Sequence, residues 1–198
     1  MFHACQAACG GTRCHMAIVT PRLELIELTP AFLRAGLAGD WEEASRVLGA
    51  RVPPDAACFQ DVMGLRLKQL EENPAAQPWL LRAIVRREAR EMAGGIGFHT
   101  PPGADYLRAW SPEAVEFGFQ VFPAHRRQGY AREAAVALME WAHRTHQVTA
   151  FVLTIAPGNA ASQTLAAQLC FRRIGSHMDE IDGEEDVLER VIAASTAQ

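Results

Sequence analysis

The chain has 198 residues, 49% of them hydrophobic and 21% charged, which excludes a disordered or fibrous protein and suits one compact domain with a sizeable core. A formal net charge of −4 gives no general attraction to nucleic acid, whose non-specific binding rests on Lys and Arg neutralising phosphates. No window approaches the roughly 20 apolar residues needed to span a bilayer, so no membrane partner is expected.

Residues 1–15 hold His3, Cys5, Cys9, Cys14 and His15 but lack the apolar stretch of a secretory signal, which makes the cytoplasm the expected compartment. Cys and His are zinc ligands, yet the spacing lacks the paired Cys-x-x-Cys of common zinc modules. The preferred reading is a poorly ordered tail, or a start placed too early, since Met16 directly precedes the first strand-like sequence; no metal is expected. With only Cys58 and Cys170 besides, the odd cysteine count is a poor disulfide framework.

Leu23–Leu28 reads as a short strand, and Thr29-Pro30 as a helix start with Pro at the first helical position. Asp40 with Glu43 resembles a capping box ahead of a helix to about Leu48. A third helix is predicted over Ala57–Glu72 and is stopped by Asn73-Pro74. Trp79–Arg86 and Glu91–His99 then look like strands joined by the charged turn Arg87–Arg90, with Thr100–Gly103 as the next connection. A third strand, Ala114–Phe122, ends at Pro123 and leads through a loop into a helix over Gly129–His146. Val148–Ile155 is another strand, Ala160–Leu169 a helix and Phe171–His177 a short strand. An acidic turn, Asp182–Asp186, precedes a last strand, Val187–Ile192. The order β-α-α-α-β-β-β-α-β-α-β-β predicts an α+β or mixed α/β fold with antiparallel and parallel parts, the parallel crossover lying around the long helix.

A strand that runs through a Gly-containing loop into a helix aims unpaired backbone N–H groups at one point, where the helix dipole adds positive charge. Such a place binds phosphate. The loop Arg126-Arg127-Gln128-Gly129-Tyr130-Ala131 fits: Gly129 permits close approach, Ala131 keeps the helix start uncluttered, and Arg126, Arg127 and Arg132 supply charge. An ordinary β-α turn with basic surface residues fits the spacing equally well. Gly94-Gly95-Ile96-Gly97 fails as a dinucleotide fingerprint because it lies inside a strand and no helix follows, which also disfavours a nucleotide oxidoreductase.

The run Glu116–Pro123, then Arg126-x-x-Gly129-x-Ala131 and Arg132–Ala135, resembles motif A of the GCN5-related N-acetyltransferases (GNAT), especially the RimJ/RimL type. Thr20-Pro21-Arg22-Leu23-Glu24-Leu25 resembles the opening strand of that subgroup, and Asn159-x-x-Ser162 with Leu169-Cys170-Phe171 resembles a later segment. The likeness covers most of Met16–Ile192, leaving the tail and Val52–Pro78 unmatched, so residues 16–198 are expected to form a single acetyltransferase domain.

The resemblance implies a three-layer fold with a splayed, mixed antiparallel/parallel sheet, and acetyl-CoA as cosubstrate. The pyrophosphate would lie on the N–H groups of Arg127–Ala131, the pantetheine and acetyl on main-chain groups of Phe119 and Val121, and Asn159 and Ser162 would hold the cofactor from the other side. Asn159 also reads as plain turn chemistry and Ser162 as a first-turn residue. Attack of a neutral amine on a thioester needs a base, an oxyanion donor and a route for the leaving thiol. The resemblance points to Glu116 as base and to the backbone near Phe119 as oxyanion donor.

The tyrosine that protonates the thiolate in many such enzymes is replaced by Ala166, which leaves Ser162 or water as acid. Cys170 stands where the family has glycine and reads as an inert core thiol. His99, Tyr106 and Trp110 border the motif strand and are candidates to line the acceptor pocket. Asp179, Glu180, Asp182, Glu184, Glu185 and Asp186 read as a solvated turn.

The expected activity is acetyl transfer to a primary amine, either a peptide N-terminus or a small molecule, by a monomer or homodimer. The alternative is a non-catalytic acyl-CoA-binding module.

Overall fold

The structure is a computed structural model that describes residues 17–179 and 183–192. The tail at 1–15, with its cysteines and histidines, lies outside the described residues, as does the acidic stretch 180–182.

The chain opens with a two-residue strand β1 (Ile18–Val19) that pairs with β2 (Leu23–Glu27). Three helices follow. In α1 (Pro30–Leu37) Thr29 Oγ1 accepts from the Phe32 N–H and Pro30 takes the first turn. In α2 (Trp41–Leu48) Asp40 caps Glu43 at 2.9 Å, and Gly49 (φ 70°) ends the helix in the left-handed conformation. The 3-10 turn Pro54–Phe59 leads into α3 (Gln60–Glu72), so the expected start at Ala57 falls inside that turn.

Strands β3 (Arg82–Arg86), β4 (Glu91–Phe98) and β5 (Ala114–Val121) form the antiparallel meander. Then come α4 (Tyr130–His146), β6 (Ala150–Ile155), α5 (Ala160–Gln168), β7 (Arg172–Asp179) and β8 (Gly183–Val191). The sheet order is β1-β2-β3-β4-β5-β6-β8-β7, and every neighbouring pair is antiparallel except β5–β6. The fold is the expected mixed α/β arrangement, with its parallel crossover made by α4.

Three segments differ from the sequence reading. Trp79–Leu81 lies outside the strand, but its Trp79 and Leu81 carbonyls still accept from Phe98 and Leu28 at 2.9 and 3.0 Å. The acidic residues Glu184–Asp186 belong to β8 rather than to a turn: Asp186 pairs with Arg173 of β7 and takes Gln163 Nε2 of α5 at 3.2 Å, and Glu185 lies 4.0 Å from His177 of β7. β1 is too short to show a period and forms by pairing alone.

Alternation along the strands splits the core between the two faces of the sheet. Ile84, Ile96, Phe117 and Phe151 pack with Ala134, Leu138 and Ala142 of α4 and with Ala166 of α5. On the opposite face Ala83, Val85 and Met92 pack with Phe32, Leu33, Leu48 and Met63 of α1, α2 and α3. Helices therefore cover both faces of the sheet, in three layers. Among the described residues no helix is long and apolar enough to cross a membrane.

Candidate active site

The parallel ladder between β5 and β6 joins only Ala114–Glu116 to Ala150–Val152, and past Glu116 and Val152 the strands part. His99 N donates to Glu116 O at 2.9 Å, and Phe122 N to Ala93 O at 2.8 Å. Even-numbered residues of β5 therefore turn their backbone groups to β4, while Phe117, Phe119 and Val121 turn theirs into the opening. Arg126 folds its side chain back so that Nε donates to the Val121 carbonyl at 3.0 Å. Asn159 and Ser162 stand on the other side of the opening, at the start of α5 directly after β6. The Asn159 side-chain oxygen accepts from the Ser162 N–H at 3.2 Å and so is used as a helix cap.

At the mouth of the opening the loop turns through two left-handed residues, Arg127 (φ 59°) and Gly129 (φ 80°), into α4. Among the described residues the backbone N–H groups of Tyr130, Ala131 and Arg132 find no acceptor, as the geometry of a helix start dictates. Arg22 fastens this loop: Nη1 donates to Gln128 O at 2.9 Å, Nε to Glu133 at 2.6 Å, and the guanidinium lies 4.9 Å from the centre of the Tyr130 ring. Burial opposes the Glu133 charge, but hydrogen bonds from Thr20 and Arg22 outweigh it and hold the carboxyl below its usual range. The Arg127 and Arg132 side chains are exposed.

Glu116 is buried at the last paired position, where Thr154 Oγ1 donates to it at 2.5 Å and His99 Nδ1 lies 3.4 Å away. Burial alone would raise its pKa. Hydrogen bonding and charge from His99, with hydrogen bonds from Thr154 and Tyr106, prevail and hold the carboxyl below the usual carboxylate range. Half of the Tyr106 surface is exposed, yet desolvation of its hydroxyl and the Glu116 charge push its pKa well above the ordinary phenol range. The His99 ring lies over Gly118, its Nε2 3.1 Å from where a Cβ there would sit.

His99, Gly118 and Phe119 border a cavity of about 160 Å³ that Phe59, Val62 and Arg66 also line. The structure thus brings Phe119 and His99 to a pocket, with Glu116 buried beside the His99 ring, while Trp110 packs over Gly175 of β7 instead. Gly95 and Gly97 line the same cavity, and a Cβ at Gly95 would come 2.9 Å from the Phe59 ring, so the glycine run of β4 serves close packing.

Ala166 is fully buried in the core, with no hydroxyl to offer a leaving thiol. Cys170 is exposed rather than in the core: at φ 61° it ends α5 in the left-handed conformation, with Phe171 N donating to Ala166 O at 2.9 Å. Among the described residues no group of three or more His, Cys, Asp or Glu is placed to hold a metal.

Arg22 and Arg66 received no role in the sequence reading. The signal for Arg66 was present, since it shares the buried stripe of α3 with Met63 and Leu70, a place for an apolar residue.

A family model described as the GNAT acetyltransferase domain matches residues 22–172. YjdG of Bacillus subtilis (strain 168), described as an uncharacterised N-acetyltransferase, is 32% identical over 88 residues, 44% of this chain and 48% of the relative. The chain spans about half the length of the curated relatives it matches. Among solved structures, RimL, a ribosomal L7/L12 alpha-N-protein acetyltransferase in complex with coenzyme A, superposes with a TM-score of 0.62 at 18% identity, covering 89% of this chain and 98% of that one. The microcin C7 self-immunity acetyltransferase MccE, in complex with acetyl-CoA and AMP, superposes with a TM-score of 0.60 at 14% identity, covering 87% and 94%. The two structures establish likeness of fold, and the family model, which spans the opened strands, the loop and α4, establishes that this chain belongs to the GNAT acetyltransferase family.

Proposed function

We propose that the protein is an acetyl-CoA-dependent N-acetyltransferase that acetylates a primary amine by direct attack. The observation that carries the reading is the parting of β5 from β6 beside a helix start with a run of outward N–H groups. A pyrophosphate fits on Arg127–Ala131, with Gln128, Gly129 and Tyr130 between them and Arg127 and Arg132 adding charge. The backbone of Phe119 and Val121 fits an extended amide-bearing arm, although the Val121 carbonyl already accepts from Arg126. Two family members of like fold were solved with coenzyme A or acetyl-CoA, which supports the cosubstrate.

Acetyl-CoA supplies an activated thioester: the N–C bond forms from the amine lone pair, the C–S bond breaks, and the thiol leaves with a proton. The Phe119 N–H, turned into the opening, is placed to stabilise the carbonyl oxygen under attack. With its carboxyl held below the usual range, Glu116 is a weaker base than an ordinary carboxylate. It positions His99, whose ring borders the pocket and takes the amine proton. Ser162 is the remaining hydroxyl on the β6 side for the thiolate. An α-amine, with an unperturbed pKa of about 7.7–8.0, is neutral far more often at pH 7 than a lysine near 10.4, which favours it as acceptor. The described cysteines, Cys58 and Cys170, are free, which suits a reducing, cytoplasmic setting.

The test is release of free thiol from acetyl-CoA by the purified protein with a panel of peptides and small amines. Amine-dependent release is expected. Tight acetyl-CoA binding without release by any amine would favour the non-catalytic acyl-CoA-binding module, to which the buried Ala166 lends its one support.

A further inference from the structure

Two arginines are buried among the described residues, and they are treated differently. Arg82, fully buried, pairs with Glu27 at 3.1 Å and donates to Pro78 O at 2.7 Å. Arg66, 7% exposed, has no carboxylate within ion-pair distance among the described residues. Its Nη1 donates to Gln69 Oε1 at 2.7 Å and to His99 O at 3.0 Å, both neutral acceptors. The Nε and Nη2 donors have no acceptor there and are not sealed off, and the residue forms part of the wall of the pocket that His99 and Phe119 also line. Burial opposes the Arg66 charge, and Glu116 supports it only from beyond ion-pair distance, so the remaining fork is left to match a carboxylate in two parallel hydrogen bonds.

Resting on the acetyltransferase reading, we infer that the acceptor is a small amine that also carries a carboxylate, held by Arg66 in the pocket wall. The cavity of about 160 Å³ has room for about five waters at roughly 30 Å³ each, which suits an amino-acid-sized group. Among its apolar walls, Phe59, Val62, Leu81 and Phe119, stand the polar Gln120 and two groups able to carry charge, Arg66 and His99, the first suited to the anion and the second to the amine. The two are mechanically linked, since Arg66 donates to the His99 carbonyl and Gln69 Nε2 braces the same oxygen at 3.1 Å.

The experiment uses the full chain with saturating acetyl-CoA and measures thiol release with matched acceptors: free α-, β- and γ-amino acids, each beside its carboxamide, and tripeptides with an acidic or a neutral first residue. Charged hydrogen bonds of this kind correspond to about 10- to 100-fold in affinity, so the acids should show a KM lower than the amides by about that factor. Arg66→Met should bring the KM of each acid to that of its amide and so erase the acid-to-amide ratio of the wild type, while any change in turnover shared by both members of a pair reads the brace on His99. Arg66→Lys, which keeps the charge and loses the fork, should fall between and guards against a merely misfolded Met variant.

Equal use of acids and amides by the wild type would overturn the inference. So would a loss in Arg66→Met that leaves the acid-to-amide ratio of KM at its wild-type value, the mark of a structural role. Preference for acidic-first tripeptides over free amino acids would also overturn it, because the carboxylate would then belong to a peptide. In all three outcomes acetyl transfer itself stands. Absence of thiol release with every amine brings down the acetyltransferase reading and this inference with it.

Discussion

Replacing Gly129 separates the backbone requirement of the phosphate loop from its charge. Gly129 sits at φ 80°, where a side-chain-bearing residue costs about 1–2 kcal/mol. An added Cβ would come 3.3 Å from Arg22 Nη2, the tip of a half-exposed side chain that can give way. Gly129→Ala should therefore register the conformational cost and little more, a fall in Tm of roughly 2–8 °C at 2–4 °C per kcal/mol for a chain of this size. Gly129→Glu carries the same strain and adds a carboxylate at the point where a pyrophosphate would lie. At an effective dielectric near 20, unit charges about 4 to 8 Å apart repel by about 4 to 2 kcal/mol. That range is a rise in Kd of about 30-fold to nearly 1,000-fold. Calorimetric titration with acetyl-CoA, beside a thermal melt without ligand, reads the two effects independently. If Gly129→Glu melts like Gly129→Ala and binds acetyl-CoA with the wild-type Kd, the loop is not a phosphate cradle and the reasoning built on it fails.

Glu116→Gln should lower turnover by about 10²- to 10⁴-fold with unchanged acetyl-CoA affinity, and wild-type rates across pH 6–9 would remove Glu116 from the mechanism. The same variant carries a stability signature: because the folded carboxyl is held below its unfolded value, its contribution is present above the unfolded pKa and is lost as pH falls through the folded one. The Tm gap between wild type and Glu116→Gln should then close in acid, and a gap that stays constant down to pH 3 would contradict the ionised, paired carboxylate. Cys170→Gly should raise Tm by about 2–4 °C, since glycine relieves about 1 kcal/mol at φ 61°, with turnover unaltered; loss of turnover would show that the thiol takes part.

Much of the layout is legible without coordinates because it is written in local chemistry. Gly129 and the apolar spacing of Ala134, Ala135, Leu138 and Ala142 place α4 within one residue of its observed start at Tyr130, and the alternation of Ala114–Val121 with Pro123 beyond it places β5. Thr29, Asp40 and Asn159 announce three helix starts as caps, a property of the residue and its next few neighbours. Family likeness adds the acetyltransferase reading on the same stretch.

What the local pattern could not carry depends on partners distant in sequence. Glu184–Asp186 look like a turn until Arg173, His177 and Gln163 are brought beside them, and Trp79–Leu81 look like strand until neighbours hold them in an irregular path. Cys170 reads as core from its apolar flanks, yet the end of α5 turns it outward. Only the tertiary structure could show that Glu116 is held ionised by His99, Thr154 and Tyr106, and that Arg22 pins a loop more than a hundred positions away. It alone distinguishes the two buried arginines, because whether a cation meets its carboxylate is decided by which elements pack together: for Arg82 β2 supplies Glu27 in direct contact, and for Arg66 Glu116 of β5 acts only from beyond ion-pair distance.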